Sequence, residues 1–188
     1  TWQGFDSIYT HYYSNGIVIS STSYTDGYNA GYTTLAQTLD QQNIDMPSLI
    51  HVFSSGNEGT SDFGYGAGAG WGNITGGNKQ SKNSIAVGNV DYQDVIYASS
   101  SRGPASDGRL KPELVAVGTN VTSTSLYNSY ATLTGTSMAC PAVAGTLTEL
   151  YQAYKTLNGG GNPSSGLMKA ILMNTADDLG NTGPDFTY

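Results

Sequence analysis

Residues 49–60 read LIHVFSSGNEGT. The apolar run at its start closes on Ser, Gly and Asn, the residues a turn uses. A short apolar run ended this way marks a buried strand, here 49–56. Just upstream, Tyr32, Leu35, Ala36 and Leu39 recur at helical spacing, and Met46-Pro47-Ser48 breaks that helix. Upstream again, Ile17-Val18-Ile19-Ser20-Ser21 is a β-branched run of the same buried kind. Strand, helix, strand at this spacing is a βαβ unit. The two strands are therefore parallel, and the fold class is α/β, a parallel β-sheet flanked by helices.

The rest of the chain extends this pattern. Phe5, Ile8, Tyr9 and Tyr12 form a first helical face, ended by Asn15-Gly16. A glycine-rich stretch fills 64–79, and SIAVGNV (84–90) is a third strand. The segment 99–118 is a loop running into strand-like ELVAV, and YATLTGTS is a short strand leading into GTSMACP (135–141). Val143, Leu147, Leu150, Tyr151 and Tyr154 lie on one helical face, so a long helix follows, ended by NGGGNP (158–163). Asn162 with Pro163 predicts the cap and first residue of a last helix reaching about Ala176.

The 188 residues fit one domain, taken as 1–188. Hydrophobic residues make up 38% and charged residues only 11%, which excludes a charge-rich disordered chain. The net charge of −7 excludes the basic footprint of a nucleic-acid binder, and the few Lys and Arg are too scattered to suit an anionic membrane. No run of 18 apolar residues exists, so no membrane-spanning helix is expected. The single cysteine, Cys140, permits no intrachain disulfide and reads as a small buried side chain. The start, TWQGFDSIYTHYY, has no signal-peptide pattern and reads as the interior of a domain, so a processed chain or a fragment is expected.

Two stretches can carry chemistry. Proline fits a helix best in its first turn, so Pro141 sets the helix start near Met138 and leaves Ser137 at the positive helix end. A hydroxyl there suits a nucleophile; it equally suits an N-cap, the commoner role of Ser and Thr. Asn57 follows the strand 49–53, and ligands of open α/β sheets bind beyond the carboxyl ends of strands. Its amide is able to supplement a backbone N–H at an oxyanion, and S-G-N-E-G is also what a plain turn needs. Arg102, Asp107, Arg109, Lys111 and Glu113 (within 99–118) read as a loop laced with local ion pairs. Sequons at Asn73 and Asn120 are weak signals, and GAGAGWG is no dinucleotide fingerprint.

FSSGNEGT (53–60), SSSRGPASDGRLKPELVAVG (99–118) and GTSMACPAVAG (135–145), in this order, resemble the subtilisin-like serine proteases, the subtilases of peptidase family S8. LMNTADDLG (172–180) is similar to the family's closing helix and loop. The resemblance implies a three-layer sandwich, a secreted, extracellular or cell-envelope serine endopeptidase and a polypeptide substrate. It implies Ser137 as nucleophile, preceded by Thr136, and Asn57 as oxyanion donor. It also implies two substrate walls, one at Ser54, Ser55 and Gly56, the other near Ser23 and Tyr24, where STSYTDG departs from the family's small-residue pattern. No cofactor is evident; structural calcium is implied by the resemblance alone, since no carboxylate cluster has clear ligand spacing.

The family's Asp and His precede its Ser. Here His11 lacks the small neighbours of such a His and lies at the amino end of the sheet. His51 is inside its strand, six residues before Asn57, or roughly 20 Å away at about 3.3 Å per residue. Neither fits as the base. The expectation is a subtilase domain incomplete at its N-terminal side, inactive alone, with an exposed sheet edge open to self-association. The alternative is a protease-fold domain that has lost catalysis and serves in binding or assembly.

Overall fold

A computed structural model describes residues 4–180; the outermost residues of the 1–188 domain lie outside the described residues. Four strands form one parallel sheet: β1 (Ile19–Thr22), β2 (Ile50–Ser54), β3 (Ile85–Val90) and β4 (Leu114–Val117), in that spatial order. The register pairs Thr22 with Phe53, Ser54 with Val87, and Val90 with Val117. The helices are α1 (Ser7–Asn15), α2 (Thr34–Asp45), α3 (Thr136–Leu157) and α4 (Ser165–Thr175).

Alternation along β2 sorts its side chains to two faces. Ile50 and Val52, with Ile85 and Val87 of β3, pack on Ala139, Cys140, Val143, Ala144, Leu147 and Tyr151 of α3 and Met168 of α4. This is the main core. The opposite parity carries His51 and Phe53, which meet the ring of Phe5 edge-on at 6.0 and 5.8 Å. On that side Gln42 of α2 links the layers: its amide donates to Phe5 O, and its Oε1 lies 3.1 Å from His51 Nε2. The result is the helix-flanked parallel sheet expected from the βαβ pattern, in the three layers that the family resemblance implied.

The long helix is where expectation and structure part, instructively. It begins at Thr136 rather than Met138, so Pro141 sits in its second turn. A proline has no N–H, so the carbonyl four residues back, that of Ser137, loses its helical donor. Ser23 Oγ, just past the end of β1, donates to that carbonyl instead (3.1 Å). Tertiary structure thus supplies what the proline removes. The expected Asn162–Pro163 start of the last helix is also displaced: α4 is capped by Ser164, whose Oγ accepts from Leu167 N (3.2 Å). Tyr32 precedes α2 and caps nothing; Thr33 Oγ1 accepts from Ala36 N. Finally, YATL proves to be one arm of an antiparallel hairpin, β5 (Val121–Ser125) with β6 (Ser129–Leu133). Its other arm, VTSTS, carries no apolar alternation for a sequence pattern to detect.

Candidate active site

Chain crossings gather the site at the carboxyl ends of β1 and β2. Asn57 lies three residues past β2, Ser23 one past β1, and the mouth of α3 closes over both. Gly135 caps α3 with φ 156° and ψ 166°, a region left almost entirely to glycine. No side chain caps the helix from within its own first residues, so the N-cap role open to Thr136 or Ser137 is filled by neither. Instead Asn57 Oδ1 accepts from Thr136 N (3.0 Å) and from Thr136 Oγ1 (3.1 Å). Thr136 Oγ1 in turn accepts from Gly56 N (3.2 Å).

This triangle has two consequences. Two donors on Oδ1 fix which way the amide of the exposed Asn57 faces, and Nδ2 is left as its donor. It also leaves Ser137 in the first turn, where backbone N–H groups have no acceptor within the helix and partial positive charge collects. Ser137 Oγ is half-buried and makes one long hydrogen bond, to Ser23 O (3.4 Å). Ser137 and Ser23 therefore hold each other by two bonds of opposite sense.

The remaining sequence-predicted residues fall as follows. Beyond the last register pair, Thr22 with Phe53, the two chains part and form a fork with Ser23-Tyr24-Thr25 on one side and Ser54-Ser55-Gly56 on the other. Ser23 and Tyr24 are exposed, while the side chains of Ser54 and Ser55 are buried, so that wall is backbone. Ser55 Oγ turns away to Ser101 O (3.4 Å), and Gly56 O accepts from Ser101 N. The expected ion-paired loop is present: Arg109 with Asp107 at 2.8 Å, and Glu113 with Lys111 (2.6 Å) and Lys169 (3.0 Å). Burial pushes the Glu113 carboxyl up, but Lys111 and Lys169 outweigh it and hold it below the usual carboxylate range. Asn73, in one sequon, is fully buried with its amide committed to Ser61 O and Arg102 N.

Neither histidine joins the site. The His11 carbonyl accepts from Ile17 N, just ahead of β1, at the opposite end of the sheet from Ser137, and its ring meets Asn15. His51 is fully buried, with Nδ1 2.6 Å from Ser20 Oγ and Nε2 facing Gln42; burial pushes it down to about 4, against the pull of Asp40. Among the described residues no three His, Cys, Asp or Glu side chains cluster as a metal site would require. Also among them, no helix is long and apolar enough to cross a membrane.

Of two further neighbours of the site, Cys140 is the small buried side chain the sequence suggested, and Lys79 is one that sequence reasoning missed. Cys140 Sγ is buried 3.5 Å from Ser21 Oγ, close behind Ser137. Lys79, from the glycine-rich stretch, reaches the fork and donates to Thr25 Oγ1 (2.7 Å). Lys79 has no periodic signal; only the approach of its loop to Thr25 places it.

Known proteins share this fold. Two solved structures share the fold: the protease domain of PatA (S218A mutant; TM-score 0.69, 16% identity, 90% of this chain, 56% of that one) and the prenylagaramide maturation protease PagA (TM-score 0.71, 19% identity, 91% and 56%). Alkaline elastase YaB of Bacillus sp. (strain YaB) is 32% identical over 171 residues, 90% of this chain and 37% of the elastase. The human membrane-bound transcription factor site-1 protease is 40% identical over 77 residues, 38% of this chain and 7% of that protein. The chain thus spans little more than a third of the elastase and about half of the solved domains. The family model for the subtilase family matches residues 3–188, and the chain belongs to that family of serine proteases.

Proposed function

We propose that this chain carries the nucleophile and oxyanion half of a serine endopeptidase. Ser137 Oγ attacks the scissile carbonyl and its proton passes to a base. Charge on the tetrahedral oxygen is met by Asn57 Nδ2 and by the backbone N–H of Ser137, since the neighbouring N–H groups of Thr136 and Met138 are taken by Asn57 Oδ1 and Gly135 O. Collapse expels the amine, and water releases the acyl group from Ser137. The observation that carries this is the Thr136–Asn57 pairing, which occupies Asn57 Oδ1 from the residue preceding Ser137 and so leaves Nδ2 as the side chain's donor.

The base is the missing part. His51 is buried and committed to Ser20 and Gln42, and His11 belongs to the far end of the sheet. We therefore assign the base and its orienting carboxylate to residues outside these 188, and expect the chain alone to be inactive. Polypeptide substrates follow from the family. A location outside the cytoplasm and structural calcium are inferences from the same resemblance. The edge of β1, unpaired among the described residues, is the surface through which the isolated chain is expected to self-associate.

The test uses the full-length protein. A fluorophosphonate probe is expected to label Ser137 and to leave Ser137→Ala unlabelled. Equal labelling of both would remove the nucleophile assignment, and no labelling of either would favour the binding or assembly alternative. Peptide turnover by residues 1–188 alone, lost in Ser137→Ala, would refute the assignment of the base to residues outside them.

A further inference from the structure

We propose that Lys79 determines specificity, by pairing with the carboxylate of an Asp or Glu side chain on the acyl side of the scissile bond. This rests on the serine-endopeptidase reading of Ser137 and Asn57.

The first support is position. The acyl-side residue supplies the carbonyl attacked by Ser137, so its side chain enters the opening nearest Ser137 and Asn57. That opening is the fork between Ser23-Tyr24-Thr25 and Ser54-Ser55-Gly56. Lys79 is buried against it. The short 3-10 helix Gly77–Gln80 is fastened to one wall by the Gly77 N to Asp26 O bond (3.3 Å). From there the Lys79 ammonium donates to Thr25 Oγ1 (2.7 Å), and it lies 3.4 Å from where a Cβ of residue 56 would be. One group is thus bonded to one wall and lies where a side chain on Gly56 of the other would meet it.

The second support is charge. Lys79 is 1% exposed, yet among the described residues it forms no ion pair. The comparison is Lys111, equally buried, which has Glu113 at 2.6 Å. Glu58 is near enough to favour the charged form of Lys79, but no bond joins them, and Glu58 Oε2 receives Ser61 Oγ. A neutral hydroxyl occupies one of three ammonium donors. A buried cation without an anion is costly, and burial pushes Lys79 down to about 8. A ligand carboxylate seated in the fork would supply the missing counter-charge with a charge-assisted hydrogen bond. A neutral side chain would not.

The experiment compares fluorogenic peptides differing only at the acyl-side residue, cleaved by the full-length protein, Lys79→Met and Lys79→Glu. Rates are normalised to the fraction of Ser137 that a fluorophosphonate labels. The parent is expected to favour Asp and Glu over Gln and Asn by about 10- to 100-fold in kcat/KM. Lys79→Met should lose that preference and gain apolar residues; Lys79→Glu should turn it toward Lys and Arg. If either variant fails to fold, the parent is titrated with an acetylated product peptide ending in Glu or in Gln. The Lys79 ammonium resonance should then shift with the Glu peptide, and a shift equal for both peptides overturns the proposal. A labelled, active parent that favours small or apolar residues also overturns it, making Lys79 a filler of the fork while the function stands. A parent that neither labels nor cleaves removes the function itself.

Discussion

Replacing His51 by Gln separates a structural histidine from a catalytic one. In the fold His51 is fully buried between Ser20 and Gln42 and titrates near 4, against 6.5 for an ordinary imidazole. The folded chain therefore resists the proton that the unfolded chain accepts, and stability falls as the pH drops below 6.5. The fall ends near pH 4, where the folded state also protonates. At about 1.36 kcal/mol per pH unit, the interval from 6.5 to about 4 limits the loss to about 3.4 kcal/mol. Weighted by the two titration curves, about 2 kcal/mol is gone at pH 5 and about 3 at pH 4. The assay is denaturant unfolding of parent and His51→Gln at pH 7, 6, 5 and 4. Carboxylates titrate in both proteins, so the difference between them isolates His51. The parent should lose stability relative to the variant by these amounts. Parallel pH profiles would refute the buried, neutral imidazole. In the full-length protein, His51→Gln should leave the pH dependence of turnover near neutrality unchanged; a lost neutral pKa would make His51 the base.

Four further outcomes are expected. Glu113→Gln removes the counter-charge of buried Lys111, and should cost about 3–5 kcal/mol in chemical denaturation; a loss under about 1 would mean the pair is dispensable. Gly118→Ala puts a methyl 2.5 Å from Gly135 O and 2.7 Å from Asn89 Oδ1, prising β4 from the mouth of α3; a melting temperature lowered by several degrees checks it, and an unchanged one contradicts the contact. Thr136→Val removes the hydroxyl that joins Gly56 N to Asn57 Oδ1, leaving only the backbone bond to Asn57, and should cost about 1–3 kcal/mol and slow labelling of Ser137 in the full-length protein, with Thr136→Ser restoring both. Asn57→Ala in that protein should lower kcat by about 10²–10³ with little change in KM, a magnitude known from the family rather than worked from this geometry.

Much of the sheet was open to inspection in one dimension. The apolar runs that became β2 and β3, and the stripe Val143, Leu147, Tyr151 on α3, announce themselves because burial on a regular element imposes a period. The hairpin did not, because its VTSTS arm buries almost nothing. Helix starts failed for a related reason. Pro141 predicts a start at Met138 only if the helix must satisfy its own carbonyls; Ser23, 114 residues away, satisfies the one left over. Ser164 rather than Asn162 caps α4, where several adjacent residues share the chemistry of a cap.

The sequence by itself determined the α/β class, the family and the two residue types, Ser137 and Asn57, that point to acyl transfer. These are properties of short segments, written in local periodicity and ordered motifs. Tertiary structure alone decided which way the Asn57 amide faces, that Ser23 and Ser137 lock together, that His51 is sealed in the core, and that Lys79 is buried against Thr25. The physical reason is common to all four. Hydrogen bonds and burial depend on separations of a few ångströms, and the partners here come from parallel strands whose crossovers bring residues 23, 57, 79 and 137 to one end of the sheet.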